Sequence, residues 1–91
     1  MRKVRMNVQG RVQGVGFRYM TKMVADELGV HGTVRNEDDG SVSIESVGDD
    51  QVIQQFIQKI KDSPSPAGRV TYVDIQEDPL IEEYTSFKVT N

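Results

Sequence analysis

The hydrophobic period of this 91-residue chain switches between two and 3.6 residues in a fixed order, and that order leaves few folds open. Val4, Met6 and Val8 alternate with Lys3, Arg5 and Asn7, the pattern of a half-buried strand. Phe17, Met20, Val24 and Leu28 recur at helical spacing and Gly29 offers a C-terminal cap, so the spacing predicts a helix over Phe17–Leu28 with those four in the core. Val30–Asn36 and Val42–Val47 flank Glu37-Asp38-Asp39-Gly40, whose Asp-Gly pair signals a hairpin. Asp49 and Asp50 can cap a second helix with Val52, Ile53, Phe56, Ile57 and Ile60 as its buried stripe. The segment Ser63-Pro64-Ser65-Pro66-Ala67-Gly68 ends that helix, because its prolines cannot continue it. Val70, Tyr72 or Val73, and Ile75 suggest a further strand, and Phe87–Val89 a short last one. Strand, helix, strand, strand, helix, strand is the βαββαβ order of an α+β ferredoxin-like sandwich: an antiparallel sheet with two helices on one face. Residues 1–91 are expected to form one domain.

Composition narrows the classes of function. With 36% apolar and 27% charged residues the chain reads as a folded globular protein, and no apolar run approaches the roughly 18 residues of a membrane span. Arg2, Lys3 and Arg5 lead into an alternating pattern rather than an apolar block, so no signal peptide is expected. The absence of cysteine excludes disulfides and thiolate chemistry and fits a cytoplasmic location. The net charge of −3 hides an asymmetry: residues 1–25 hold Arg2, Lys3, Arg5, Arg11, Arg18 and Lys22 and no acid, while all fourteen acidic residues lie beyond. A basic start on an acidic remainder attracts a small anion and repels nucleic acid. The expectation is that this positive charge surrounds an anion site, although it also fits a solvated strand and helix face.

The segment Val8–Arg18, VQGRVQGVGFR, is where such a site would form. Glycines 10, 14 and 16 let the backbone turn several N–H groups toward one point, and a helix starting there adds its unpaired N–H groups and positive dipole end. Arg18 would supply a planar fork of donors suited to phosphate or carboxylate. Taken alone, the motif also fits an ordinary tight turn from strand to helix. It is neither a Walker A loop nor the dinucleotide fingerprint, since the lysine and the glycine spacing are wrong.

Elimination narrows the chemistry. The fold type also hosts RNA readers and metal chaperones, but the central strands lack an aromatic signature and paired cysteines are missing. His31, the single histidine, reads as a partly exposed structural residue; Asp38-Asp39 and Asp49-Asp50 are accounted for by a turn and a helix start, so no metal site is expected. A site working by position and charge alone needs a reactive substrate with a good leaving group. An acyl phosphate qualifies, because its leaving carboxylate has a conjugate acid of pKa about 4 to 5.

Together, Val8–Arg18 and Gly32–Gly48 (GTVRNEDDGSVSIESVG) resemble the two signature segments of the acylphosphatases, and the similarity extends over essentially the whole chain, at the length of the free-standing enzymes. The resemblance implies a ferredoxin-like fold and metal-independent, cofactor-free hydrolysis of carboxyl–phosphate bonds with water as nucleophile. It implies a phosphate loop of Gln13, Gly14, Val15, Gly16, Phe17 and Arg18, with Arg18 binding phosphate and Asn36 orienting the attacking water. Expected partners are a small acyl phosphate and inorganic phosphate, as product and competitive inhibitor, met by a monomer with no nucleic acid or membrane. Asn36 suits its role because its amide offers an acceptor and two donors without charge; alone, at a strand end before a turn, it reads as a structural turn residue, and it is the resemblance that reverses this. Thr33 stands where the family usually carries an aromatic. Some members pair the arginine with the terminal carboxylate, which would here be that of Asn91. The non-catalytic alternative is a phosphate- or carboxylate-sensing module of the same fold.

Overall fold

A computed structural model describes residues 1–91. The elements run β1 (Arg2–Arg11), α1 (Phe17–Leu28), β2 (His31–Asn36), β3 (Val42–Gly48), α2 (Asp50–Lys61), β4 (Arg69–Glu77) and β5 (Phe87–Thr90). They build a five-stranded sheet in the order β4-β1-β3-β2-β5. The pairs β1–β3, β1–β4 and β2–β3 are antiparallel, as the alternating pattern led one to expect, but β5 pairs with β2 in parallel, so the sheet is mixed. The reason is topological: the chain leaves β4 at one edge and crosses to the opposite edge over residues 78–86, which sets β5 beside β2 in the same direction.

Both helices cover one face. Val4, Met6 and Val8 of β1, Val42 and Ile44 of β3 and Val34 of β2 meet Ile53, Phe56 and Ile60 of α2 and Phe17 and Ala25 of α1 in a single core. Removing one such side chain from water stabilises the fold by about 1.5–3 kcal/mol. Phe56 meets Phe87 edge-on at 5.9 Å between ring centroids, which ties α2 to the last strand. Helix α1 departs from its expected stripe. Its deepest residues are Phe17, Thr21 and Ala25, with Val24 and Leu28 only packed against the margin and Met20 half-buried. Beyond Phe17, the deepest positions of the helix carry the small residues Thr21 and Ala25.

Strand β4 resolves the choice left by its sequence. The register slips between Gln9 and Gly10, whose partners are Tyr72 and Val70, so Thr71 is an extra residue in a bulge. Val70 and Val73 consequently both face the helices, and Tyr72 is exposed. Asp49 occupies the N-cap position of α2 without a side-chain cap bond, and Asp50 pairs with Arg2 instead. His31 is half-buried, its Nδ1 3.2 Å from the Tyr84 carbonyl, in keeping with a structural role. No helix is long and apolar enough to cross a membrane.

The crossover is fastened to the open face of the sheet. Lys3 Nζ donates to the Ile81 carbonyl at 2.6 Å, Arg5 pairs with Asp78 and Glu45, and the Tyr84 hydroxyl donates to Glu45. Burial, then the bond to Glu45, pushes the Tyr84 hydroxyl up to about 12.

Candidate active site

The segment between β1 and α1 has the form of a nest. Gly14 (φ 73°) and Gly16 (φ 77°) are left-handed while Val15 between them keeps a negative φ, and alternating hand is what turns successive N–H groups to one side. A non-glycine residue at either position pays for the left-handed φ, although each Cα faces open space. No main-chain N–H of residues 13–16 finds an acceptor in the protein; the only backbone bond there is Met20 N–H to the Gly16 carbonyl. Gly16 is also the N-cap of α1, and the first turn of that helix carries no acidic residue to fill its positive end.

Two side chains hold this loop in place by its outer side. Gln13 Nε2 donates to the carbonyls of Glu37 and Ser41, both at 2.8 Å, which ties the loop to the β2–β3 turn. The amide of Gln13 is thereby spent on structure, so of this residue only the main chain can face an anion. Ser65, in the loop between α2 and β4, donates to the Val15 carbonyl at 2.6 Å. The Ser-Pro segment marked a helix end in the sequence, and its contact with the loop comes from chain sections fifty residues apart.

Arg18 lies in the first turn of α1, half-buried, and enters none of the ion pairs of the molecule. Asn36 ends β2 on the same face as Gly32 and Val34, the face the helices cover. Its N–H donates to the main-chain oxygen of Asn91 at 3.2 Å. Its side-chain Oδ1 is buried with no hydrogen-bond partner. A buried amide oxygen left without a donor costs about 1–3 kcal/mol, so it is an acceptor that a bound water would satisfy. The end of β5 therefore meets Asn36, and no ion pair joins Asn91 to Arg18.

The expected ring of positive charge around the loop is only partly present. Arg2, Lys3 and Arg5 sit at the start of β1, about 20–30 Å along the strand from its end, and each is matched with carboxylates: Asp50 and Glu77, Glu83, and Glu45 and Asp78. Lys22 is shared between Asp26 and the Phe87 carbonyl. That leaves Arg11 and Arg18 near the loop, with Arg69 opposite Arg11 across the β1–β4 pair. A concavity of about 610 Å³ lies at the paired end among Arg2, Lys3, Asp50, Glu77, Asp78 and Glu83, where the charges already satisfy one another. No three His, Asp or Glu side chains converge to form a metal site. Thr33 lies on the open face of β2, in register with Lys88 of β5 and away from the helix-side Asn36, so its difference from the family pattern falls outside the loop.

Comparison with known proteins bears on the whole chain. The acylphosphatase family model matches residues 4–89. An acylphosphatase of Enterococcus faecalis is 76% identical over 98% of each chain, and one of Lactobacillus johnsonii is 53% identical over the same share. The crystal structure of the acylphosphatase from Bacillus subtilis superposes with a TM-score of 0.95 over the full length of both chains, at 38% identity.

Proposed function

Since this chain belongs to the acylphosphatase family and hydrolyses acyl phosphates, we propose that it does so without a metal ion, through the loop Gln13–Arg18 and the amide of Asn36. The observation that carries this reading is the coincidence of a nest of N–H groups without acceptors, an arginine without an ion-pair partner, and a buried amide oxygen without a donor.

The phosphoryl oxygens of the substrate accept from the free N–H groups of residues 14–16 and of the first turn of α1, where the helix dipole adds to the attraction. Arg18 contributes two parallel donors and a full charge. Asn36 Oδ1 accepts from the attacking water and holds it in line with the leaving carboxylate. The water oxygen–phosphorus bond forms as the carboxyl oxygen–phosphorus bond breaks, and the products are a carboxylate and inorganic phosphate that keeps both protons of the water. The transition state is loose, so placement of the water and fixed donors on the equatorial oxygens supply most of the acceleration. A carboxylate leaves without a proton, and no general acid is required. The same donors bind inorganic phosphate, which acts as a competitive inhibitor. The reading takes the enzyme as a cytoplasmic monomer of one domain.

Hydrolysis of benzoyl phosphate with and without a strong chelator tests it. Turnover unchanged by the chelator and competitively inhibited by inorganic phosphate is the expected result. Phosphate binding without turnover favours the sensing module, and turnover abolished by the chelator refutes the metal-free route.

A further inference from the structure

We propose that Ser65 is a positioning residue for this reaction, setting through one hydrogen bond the direction in which Gly16 offers its N–H to the phosphoryl group. The proposal rests on the reading of residues 13–18 as the phosphate loop. Ser65 is 2% exposed, and its hydroxyl donates to the Val15 carbonyl at 2.6 Å. The peptide joining Val15 to Gly16 is planar and trans, so its C=O and N–H point in opposite directions. Holding the carbonyl toward the α2–β4 loop therefore aims the Gly16 N–H away from it, to the side left without a protein acceptor. Without that bond the peptide can rotate, and an N–H in a nest turned away from the anion is replaced by a carbonyl that repels it.

The segment that carries Ser65 is built to be stiff. Pro64 and Pro66 flank it, each with its own φ locked by the pyrrolidine ring. The Ser65 carbonyl accepts from Ser63 Oγ at 2.8 Å and from Gly68 N–H at 3.0 Å. Ser63 sits at φ 63° immediately before a proline, a strained conformation that persists only where its surroundings hold it. A loop strained and pinned on both sides, whose one buried hydroxyl spends its donor on the phosphate loop, is the arrangement that preorganises a site. Gln13 holds the other end of the same loop against the β2–β3 turn, so the nest is fixed at both ends before an anion arrives.

The test uses Ser65→Ala in the full chain, read by benzoyl phosphate hydrolysis, inhibition by inorganic phosphate, thermal unfolding, and the Gly16 amide resonance during titration with phosphate. The expected result is a loss of about tenfold in phosphate affinity and in kcat/KM, the scale of one hydrogen-bonding group removed. The Gly16 amide response should shrink with it. A Ser65→Ala protein that unfolds at lower temperature but keeps wild-type phosphate affinity, kcat/KM and Gly16 response overturns the proposal, leaving Ser65 a purely structural residue. Should the alanine variant fail to fold, Ser65→Cys, with its weak donor, is read in the same way: a partial loss of affinity supports the proposal and wild-type affinity overturns it. Gly14→Val measured in parallel separates the two readings. If it retains phosphate affinity, the loop itself is not the site; if it loses affinity while Ser65→Ala does not, the loop stands and Ser65 has no part in aiming it.

Discussion

The two ends of β1 use the same residue type in opposite ways. At its start, Arg2 and Arg5 are each held between two carboxylates, and Lys3 reaches Glu83 and the Ile81 carbonyl, so positive charge there staples α2 and the crossover to the sheet. At its far end Arg11 faces Arg69 across the β1–β4 pair, Arg18 follows in the first turn of α1, and none of the three has an acidic partner. Like charges set opposite each other on a sheet are destabilising, and exposed ion pairs are worth only about 0–1 kcal/mol each. The paired end thus gains little stability per bridge, while the loop end tolerates repulsion. Charge that is neutralised serves the fold; charge left unmatched beside a nest of free N–H groups is available to an anion.

If that contrast is right, removing a charge at the loop end should silence the enzyme, and removing one at the paired end should not. Arg18→Gln is expected to lower kcat/KM for benzoyl phosphate by roughly 10³-fold or more, on the scale of charge-stabilising arginines in phosphoryl transfer. Inhibition by phosphate should weaken in the same variant, because the guanidinium binds both ground and transition states. Near wild-type turnover would erase the distinction between the two ends.

Asn36→Ala sharpens the comparison within the site. It should cost about 10²- to 10³-fold in kcat, the range for one positioned polar group, with phosphate inhibition nearly unchanged, because the amide orients water and does not hold the phosphate. An equal loss of turnover and of phosphate affinity would make Asn36 a ligand contact.

At the paired end, Lys3→Met should remove one side-chain hydrogen bond and ion pair worth about 1 kcal/mol, shifting thermal unfolding down by about 4–8 °C while kcat/KM stays at the wild-type value. A fall in activity beyond the change in folded fraction would show that the two ends are coupled through β1.

Much of this was legible in the chain. Alternation in Val4, Met6 and Val8 and the helical spacing of Ile53, Phe56 and Ile60 announce buried faces, because both periods are local properties of the backbone. The Asp-Gly turn and the glycines at 14 and 16 are legible for the same reason: a left-handed φ is a demand placed on one residue. Arg18 and Asn36 could be singled out through the family resemblance, but by themselves they were an arginine in a turn and an asparagine at a strand end. Thr21 and Ala25 were missed as the deepest residues of α1, since small side chains carry a weak hydrophobic signal whatever their burial.

The sequence by itself determined the order of elements, the buried faces of β1 and α2 and the nest, all of which follow from neighbours within a few positions of one another. Only the tertiary structure decided that β5 runs parallel to β2, that a bulge at Thr71 turns Tyr72 outward, that Gln13 spends its amide on the β2–β3 turn, and that Ser65 reaches the Val15 carbonyl. It also decided which arginines are paired. Each of these depends on segments tens of residues apart being brought together by the burial of a shared core, and hydrophobic period and turn chemistry carry no record of which distant partner a side chain will meet.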